Sequence, residues 1–184
     1  MTQTTSKKFA QNNGIQKSHY FNSTRIDLSA DLRIQVIELL NQTLATTTDL
    51  KTQVKYAHWN VKGSDFYQLH LLFDEIATEL EEYIDLIAER ITALAGRAMG
   101  TARIAARDSI LSEYPLDLVD GMDHVAALAE KVAQYAKHLR DAIKQTAELD
   151  EQDTNDLYIQ VSRTVDKRLW FLEAHLVSQN GNSK

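Results

Sequence analysis

The chain has no cysteine, a single proline and no apolar run approaching the ~20 residues that a bilayer-spanning helix needs. Without cysteine there is no disulfide framework, no thiolate metal site and no thiol nucleophile. Pro115 is the one obligatory helix break, and five glycines (Gly14, Gly63, Gly96, Gly100 and Gly121) fall at or near predicted helix boundaries. No charged start leads into an apolar h-region, so a soluble, cytoplasmic protein with no membrane partner is expected. Glycine-rich phosphate loops, Ser-His-Asp patterns and Rossmann fingerprints are also missing. Charge of one sign is missing twice. Residues 1–26 hold Lys7, Lys8, Lys17 and Arg25 but no acid, and no Lys or Arg occurs between Lys62 and Arg90.

What is present is long helical periodicity. The 184 residues, 43% of them hydrophobic, suffice for one domain with a substantial core. A first helix should start after Ser29 as N-cap and run to about Asn60, with Leu32, Val36, Leu39, Thr43, Leu50, Val54 and Ala57 on one face. Ser64 should cap a second helix whose core stripe is Leu69, Phe73, Ile76, Leu80, Tyr83, Ile87, Ile91 and Leu94. Gly96 and Gly100 end it. A short helix within 101–110 precedes a third long helix over 118–147 and a fourth from near Asp153 to about Ser178. The expected organisation is a flexible basic tail over 1–27, an all-α bundle over 28–178 and a short C-terminal tail over 179–184. Residues 1–26 carry +4 and the rest of the chain −10.

Along the second helix, His70 and Asp74 are spaced i,i+4, as are Asp85 and Glu89, and the eleven residues from Asp74 to Asp85 make almost a whole number of turns. All four therefore share one stripe, flanking the core stripe. At 1.5 Å per residue, however, Asp74 and Asp85 lie ~16 Å apart along the axis, against metal–ligand bonds of ~2 Å. One chain cannot close both halves around one ion. Two copies crossed antiparallel about a two-fold near residues 79 and 80 can, because an isologous interface sets Asp85 and Glu89 of each chain opposite His70 and Asp74 of the other. His58 lies five residues before Gly63 and His70 seven after it, so a helical hairpin turning at Gly63 places the two imidazoles at similar heights.

Carboxylates at i,i+4 are common on solvated faces, and a single histidine is more often structural than a ligand. That explanation weakens for the set, because Asp85 and Glu89 repel where Glu–Lys pairs are usual. With Asp74, Glu75, Glu79, Glu81 and Glu82 on the same helix, so much negative charge asks for a cation. Imidazole plus carboxylate suits iron in both oxidation states, and zinc or cobalt would also bind such a set. His19, His124, His138 and His175 have no partner at ligand spacing and read as ordinary residues.

Two hairpins joined by a long connection make a four-helix bundle with one crossover, the ferritin-like arrangement. Intrachain di-iron sites of that class use Glu-x-x-His, and here the residues three before the six histidines are Gln16, Lys55, Tyr67, Gly121, Tyr135 and Leu172. The metal site is therefore expected between subunits.

Over roughly residues 28–178 the chain resembles the Dps or mini-ferritin family (DNA-binding proteins from starved cells). The likeness rests on His58-Trp59-Asn60-Val61-Lys62-Gly63, His70-x3-Asp74, Asp85-x3-Glu89-Arg90, Tyr114-Pro115-Leu116-Asp117 and Asp166-Lys167-x2-Trp170-Phe171-Leu172-Glu173. The resemblance implies a hollow dodecamer with ferroxidase sites at dimer interfaces, Fe(II) oxidised often with hydrogen peroxide, ferric mineral stored inside, and DNA protected from oxidative damage. In such proteins His58, His70 and Asp74 come from one subunit, and Asp85 and Glu89 from its dyad mate. Trp59, beside His58, is a candidate electron donor to stray oxidising equivalents, or else an aromatic that packs the hairpin. The family's acidic three-fold pore near the start of the fourth helix makes Glu151, Asp153 and Asp156 candidates by position, although Asp153 could equally be an N-cap. Alternative readings are a nucleoid-binding and compacting protein whose metal site is only structural, and a store for zinc or manganese.

DNA is a candidate partner of the tail through Lys7, Lys8 and Lys17. Four charges bind weakly alone, but tails on one shell act together through counterion release and avidity, which would make the protein nucleoid-associated. The acidic body opposes this, and a solvated tail without a partner is the competing view. If the tail binds DNA, the full chain gives a salt-sensitive gel shift and deletion of residues 1–17 abolishes it. No shift for the full chain at low salt would refute the idea.

Overall fold

A computed structural model describes residues 22–177. Lys7, Lys8, Lys17 and His19 lie outside the described residues, as does most of the expected tail. The described chain is all helix apart from connections: α1 (Ala30–Asn60), α2 (Phe66–Ala93), α3 (Ala102–Asp108), α4 (Gly121–Glu148) and α5 (Gln152–Leu176). The pairs α1/α2 and α4/α5 form hairpins that pack on one another through α1 with α4 and α2 with α5, and the crossover helix α3 lies on α1. No helix among the described residues is long and apolar enough to cross a membrane.

All eight residues of the expected α2 core stripe are buried. Each such side chain removed from water contributes ~1.5–3 kcal/mol, so the seven-residue repeat alone fixes which way α2 faces. Ser29 caps α1, its hydroxyl accepting from the Leu32 amide at 3.2 Å. The other caps differ from expectation by a residue or two. Asp65, not Ser64, occupies the cap of α2, and Ser64 instead donates to the Asp65 carboxylate. Asp120 caps α4 by accepting from the Met122 amide. At α5 the cap is Glu151 rather than Asp153.

The end of α2 also departs from the glycine rule. The left-handed residue is Ala95, with φ 65°, and not Gly96. A non-glycine there is strained by ~1–2 kcal/mol, offset by capping: Arg33 Nη1 donates to the Leu94 carbonyl at 3.0 Å and the Asn22 amide to the Ala95 carbonyl at 2.9 Å. Gly96 is required for space instead. A Cβ on it would lie 2.8–3.0 Å from three atoms of the Ile37 side chain.

Inside the bundle, polar side chains answer one another. The Thr43 hydroxyl donates to the Leu39 carbonyl at 3.0 Å, so its lone pairs accept from Tyr158 at 3.0 Å and from His138 Nε2 at 2.9 Å. Thr47 repeats the pattern, donating to the Thr43 carbonyl and accepting from Tyr135 at 2.6 Å. Burial pushes both tyrosine phenols above their ordinary value and His138 below its own. These groups are neutral and paired, as a buried position requires.

Gly96→Ala should lower the stability of the assembled protein by ~1–3 kcal/mol, the range for overpacking a filled core, read as a lower thermal midpoint at fixed concentration. Gly100→Ala meets Leu44 only at 3.4 Å and should stay within ~0.5 kcal/mol of the parent. Equal losses from both substitutions would sink the steric account of Gly96.

Candidate metal centre

The α1/α2 turn is built around Gly63, whose φ of +111° suits glycine far better than other residues. The Lys62 amide donates to the Val119 carbonyl at 3.1 Å, which clips the turn to the chain entering α4. A Cβ on Gly121 would lie 2.6 Å from Leu69 Cδ1, so the close approach of α4 to the start of α2 also depends on a glycine.

This hairpin brings His58 and His70 face to face, with ring centroids 3.8 Å apart and planes 20° from parallel. Each ring reaches the other's backbone: His58 Nδ1 lies 2.8 Å from the His70 carbonyl, and His70 Nδ1 lies 2.9 Å from the His58 carbonyl. A carbonyl only accepts, so each Nδ1 carries the proton and donates it. The remaining lone pair of each neutral imidazole is then on Nε2. This is the fixed tautomer that backbone partners impose on metal-binding histidines. His58 Nε2 is 4.0 Å from Asp74 Oδ1, which places the first three candidate ligands on one patch.

Lys55 is the neighbour that sequence reading overlooked. Its Nζ donates to Asp74 Oδ1 at 2.7 Å and lies 5.9 Å from the Trp59 ring centroid. The hydrogen bond from Lys55 holds the Asp74 carboxyl below the ordinary aspartate value; desolvation opposes it, and the charge of Lys55, with those of His58 and His70 whenever they are protonated, adds to it. The i,i+3 spacing of Lys55 and His58 on α1 could have revealed this neighbour. Trp59 is 68% exposed, so within the protomer it does not pack the hairpin.

Asp85 and Glu89 stand away from this patch. Both are exposed on α2, ~16 Å from it by the helical rise, and among the described residues neither carboxylate has an ion-pair or hydrogen-bond partner. Several other acids on α2 are answered by cations from other helices. Lys51 pairs with Glu81, and Arg168, 8% exposed, binds Glu79 through Nε at 2.7 Å and Nη2 at 2.6 Å and Glu75 at 3.0 Å. The charge excess read from the sequence is thus met at Asp74, Glu75, Glu79 and Glu81, and among the described residues Glu82, Asp85 and Glu89 are left over. Among the described residues, no group of three or more metal-capable side chains converges within one protomer.

The pore candidates separate. Glu151 is 3% exposed within the protomer, accepts from Arg90 Nη2 at 2.8 Å and caps the Thr154 amide at 2.9 Å. Asp153, its side chain 82% exposed and 3.7 Å from Arg90, and Asp156 face solvent.

A ferritin-like domain family matches residues 37–180. A DNA protection during starvation protein from Agrobacterium fabrum is 39% identical over 153 residues, covering 83% of this chain and 94% of that one. The chain belongs to the Dps branch of the ferritin-like family. Among solved Dps structures, DpsC from Streptomyces coelicolor superposes with a TM-score of 0.81 at 34% identity, covering 85% of this chain and 92% of that one. The Dps protein from Vibrio cholerae O1, described as a member of a broad superfamily of ferritin-like diiron-carboxylate proteins, gives 0.78 at 28% identity over 84% and 96%.

The lowered Asp74 carboxyl carries a sign. Because the folded-state value is the lower one, its contribution to stability is present above the ordinary aspartate range and fades as pH falls through the lowered value. Replacing Lys55 by Gln removes the largest cause, so Asp74 should titrate at higher pH than in the parent. Carbon-13 NMR of labelled aspartate in metal-free protein, with Asp74→Asn to identify the signal, tests this; an unmoved midpoint would rule Lys55 out as the cause.

Proposed function

We propose that this Dps-branch chain is a ferroxidase and iron-storage subunit that takes Fe(II) as substrate and oxidises it with hydrogen peroxide. In this reading His58, His70 and Asp74 hold iron on one subunit, and the partner's Asp85 and the partner's Glu89 close the site across a two-fold. The observation that carries it is the reciprocal His58/His70 pairing, which directs both Nδ1 protons to backbone and leaves Nε2 as the donor on each ring beside Asp74. A second support is that, among the described residues, Asp85 and Glu89 have no cation partner. Two like charges one turn apart on a helix favour a cation brought by an interface.

The residues divide the chemistry. Carboxylates stabilise the harder Fe(III) product, while neutral imidazoles keep the site able to accept Fe(II); zinc would occupy the same donors without turning over. Each peroxide takes one electron from each of two ferrous ions and, with two protons, ends as two waters. Asp74 is ionised at neutral pH with or without Lys55; the ammonium pairs with it until a metal ion displaces the lysine. Twelve such subunits around a hollow interior would store the ferric product, and the relatives' name points to DNA as the molecule protected.

A shared site makes a prediction that a site within one chain does not. His70→Ala and Asp85→Ala should each abolish rapid peroxide-driven Fe(II) oxidation in anaerobic stopped flow while leaving the assembly intact. When the two inactive variants are co-assembled, each mixed dimer regains one complete site, so about a quarter of the sites recover in a random mixture. No recovery would sink the two-fold site, and full activity in either single variant would leave the stripe as a structural or nucleoid-related feature.

A further inference from the structure

Between the crossover and the start of α4 lie a tyrosine and a histidine that the metal centre does not use. Tyr114 is 7% exposed, and His124, in the first turn of α4, is fully buried. The Tyr114 hydroxyl and His124 Nδ1 are 2.8 Å apart, with ring planes 10° from parallel. His124 Nε2 is buried with no hydrogen-bond partner. In the tautomer with the imidazole proton on Nε2, the phenol donates to Nδ1. As packing alone this is a poor choice. Two apolar side chains of similar shape would fill the space without leaving a buried ring nitrogen unpaired.

The arrangement suits oxidation of the tyrosine. Removing one electron from a phenol makes its proton strongly acidic, so oxidation is far easier when a hydrogen-bonded base takes that proton in the same step and leaves a neutral phenoxyl radical. The base must be within hydrogen-bond reach and uncharged beforehand. Burial supplies the second condition: it lowers the His124 value, against the opposing Leu118 carbonyl and the Asp123 and Asp120 carboxylates, and it raises the Tyr114 phenol. The Tyr56 ring lies 5.5 Å from that of Tyr114, and Tyr56 is on α1, the helix that also carries His58. With no cysteine and three methionines, the oxidisable side chains are mainly aromatic, Trp59 beside His58 among them, and Tyr114 is the one hydrogen-bonded to a buried imidazole.

We propose that Tyr114 and His124 form a buried proton-coupled redox site that absorbs stray one-electron oxidising equivalents produced when Fe(II) meets peroxide beside His58. The step rests on the ferroxidase reading for its source of oxidant, a species of the hydroxyl-radical class. Tyr114 gives up one electron and its phenolic proton passes to His124 Nδ1, leaving a neutral phenoxyl radical and an imidazolium. The hydroxyl radical, with that electron and one proton from solvent, becomes water. A further Fe(II) resets the pair by giving one electron and becoming Fe(III), and the imidazolium returns its proton to the phenoxyl oxygen.

Two arms of rapid-freeze electron paramagnetic resonance on the assembled full chain test the proposal. In one, Fe(II)-loaded protein is mixed with peroxide; in the other, metal-free protein is oxidised by a flash-quenched ruthenium(III) polypyridyl, which needs no iron. The expected result in both is a tyrosyl radical that narrows with ring-deuterated tyrosine and is lost in Tyr114→Phe. In His124→Gln, confirmed as assembled, the radical should form more slowly, with the loss of its dependence on proton transfer seen as a changed solvent deuterium effect. A signal of full size in Tyr114→Phe, or rapid iron oxidation with no Tyr114-dependent radical, overturns the proposal. A Tyr114-dependent radical in the flash arm without rapid iron oxidation supports the redox pair and overturns the ferroxidase reading instead.

Discussion

The two hydrogen bonds exchanged between His58 and His70 hold the rest of the candidate site in place. Each imidazole is tied to the helix that carries the other, at 2.8 and 2.9 Å, so the rings cannot rotate without breaking a bond between α1 and α2. The same bonds settle where the protons are, because a carbonyl can only accept. Position and donor capacity therefore come from one interaction. Gly63 makes this possible by turning the chain through a conformation that other residues enter at a cost, and Gly121 lets α4 close over the hairpin. A side chain at either position would shift the α1/α2 pair before it touched a ligand.

Much of this was legible from the order of residues, for reasons that differ by element. The α2 stripe could be read because an unbroken repeat of large apolar side chains has one solution, and all eight are buried. The crowding of His58 and His70 followed from counting residues on either side of Gly63. Caps were harder. Ser64, Asp65, Glu151 and Asp153 are all capable of capping, and which one does so depends on the approach of the preceding chain, which no local spacing reveals. Glu151 was hard to place for a different reason. Its partner Arg90 is far away in sequence, so nothing local shows that the carboxylate is buried and accepts from Arg90 Nη2. The Tyr114–His124 pair was invisible for the same cause, since α4 had to be docked before His124 acquired a neighbour.

Charge shows most clearly how the fold sorts similar residues into different roles. On α2 alone, seven acids in a cation-free stretch look alike. Once α1 and α5 are in place, Glu75 and Glu79 are bound by Arg168, Glu81 by Lys51 and Asp74 by Lys55. The half-exposed pair at Asp74 contributes little to stability, because water competes for both partners, and so a metal ion can displace the ammonium at small cost. The Arg168 fork is nearly buried on the arginine side, and breaking it would leave a charge without solvent. The two kinds of ion pair therefore differ in how readily they exchange, and the exchangeable one is at the metal centre.

The bundle interior explains why the chemistry should lie outside it. Proteins with an iron site within the bundle fill its centre with glutamate and histidine. Here the equivalent volume holds Thr43, Thr47, Tyr135, Tyr158 and His138, whose protons and lone pairs are matched one to another and to carbonyls of α1. A cation placed there would find only neutral oxygens already engaged, and each bond it broke would leave a buried polar group unpaired. The same neutrality frees the core from needing a metal to fold. Carboxylates can then be used where they meet a partner rather than where they meet their own chain. On the proposed reading, a subunit complete as a fold but incomplete as a site would gain its reactive centre only on assembly, which would confine iron oxidation to assembled protein.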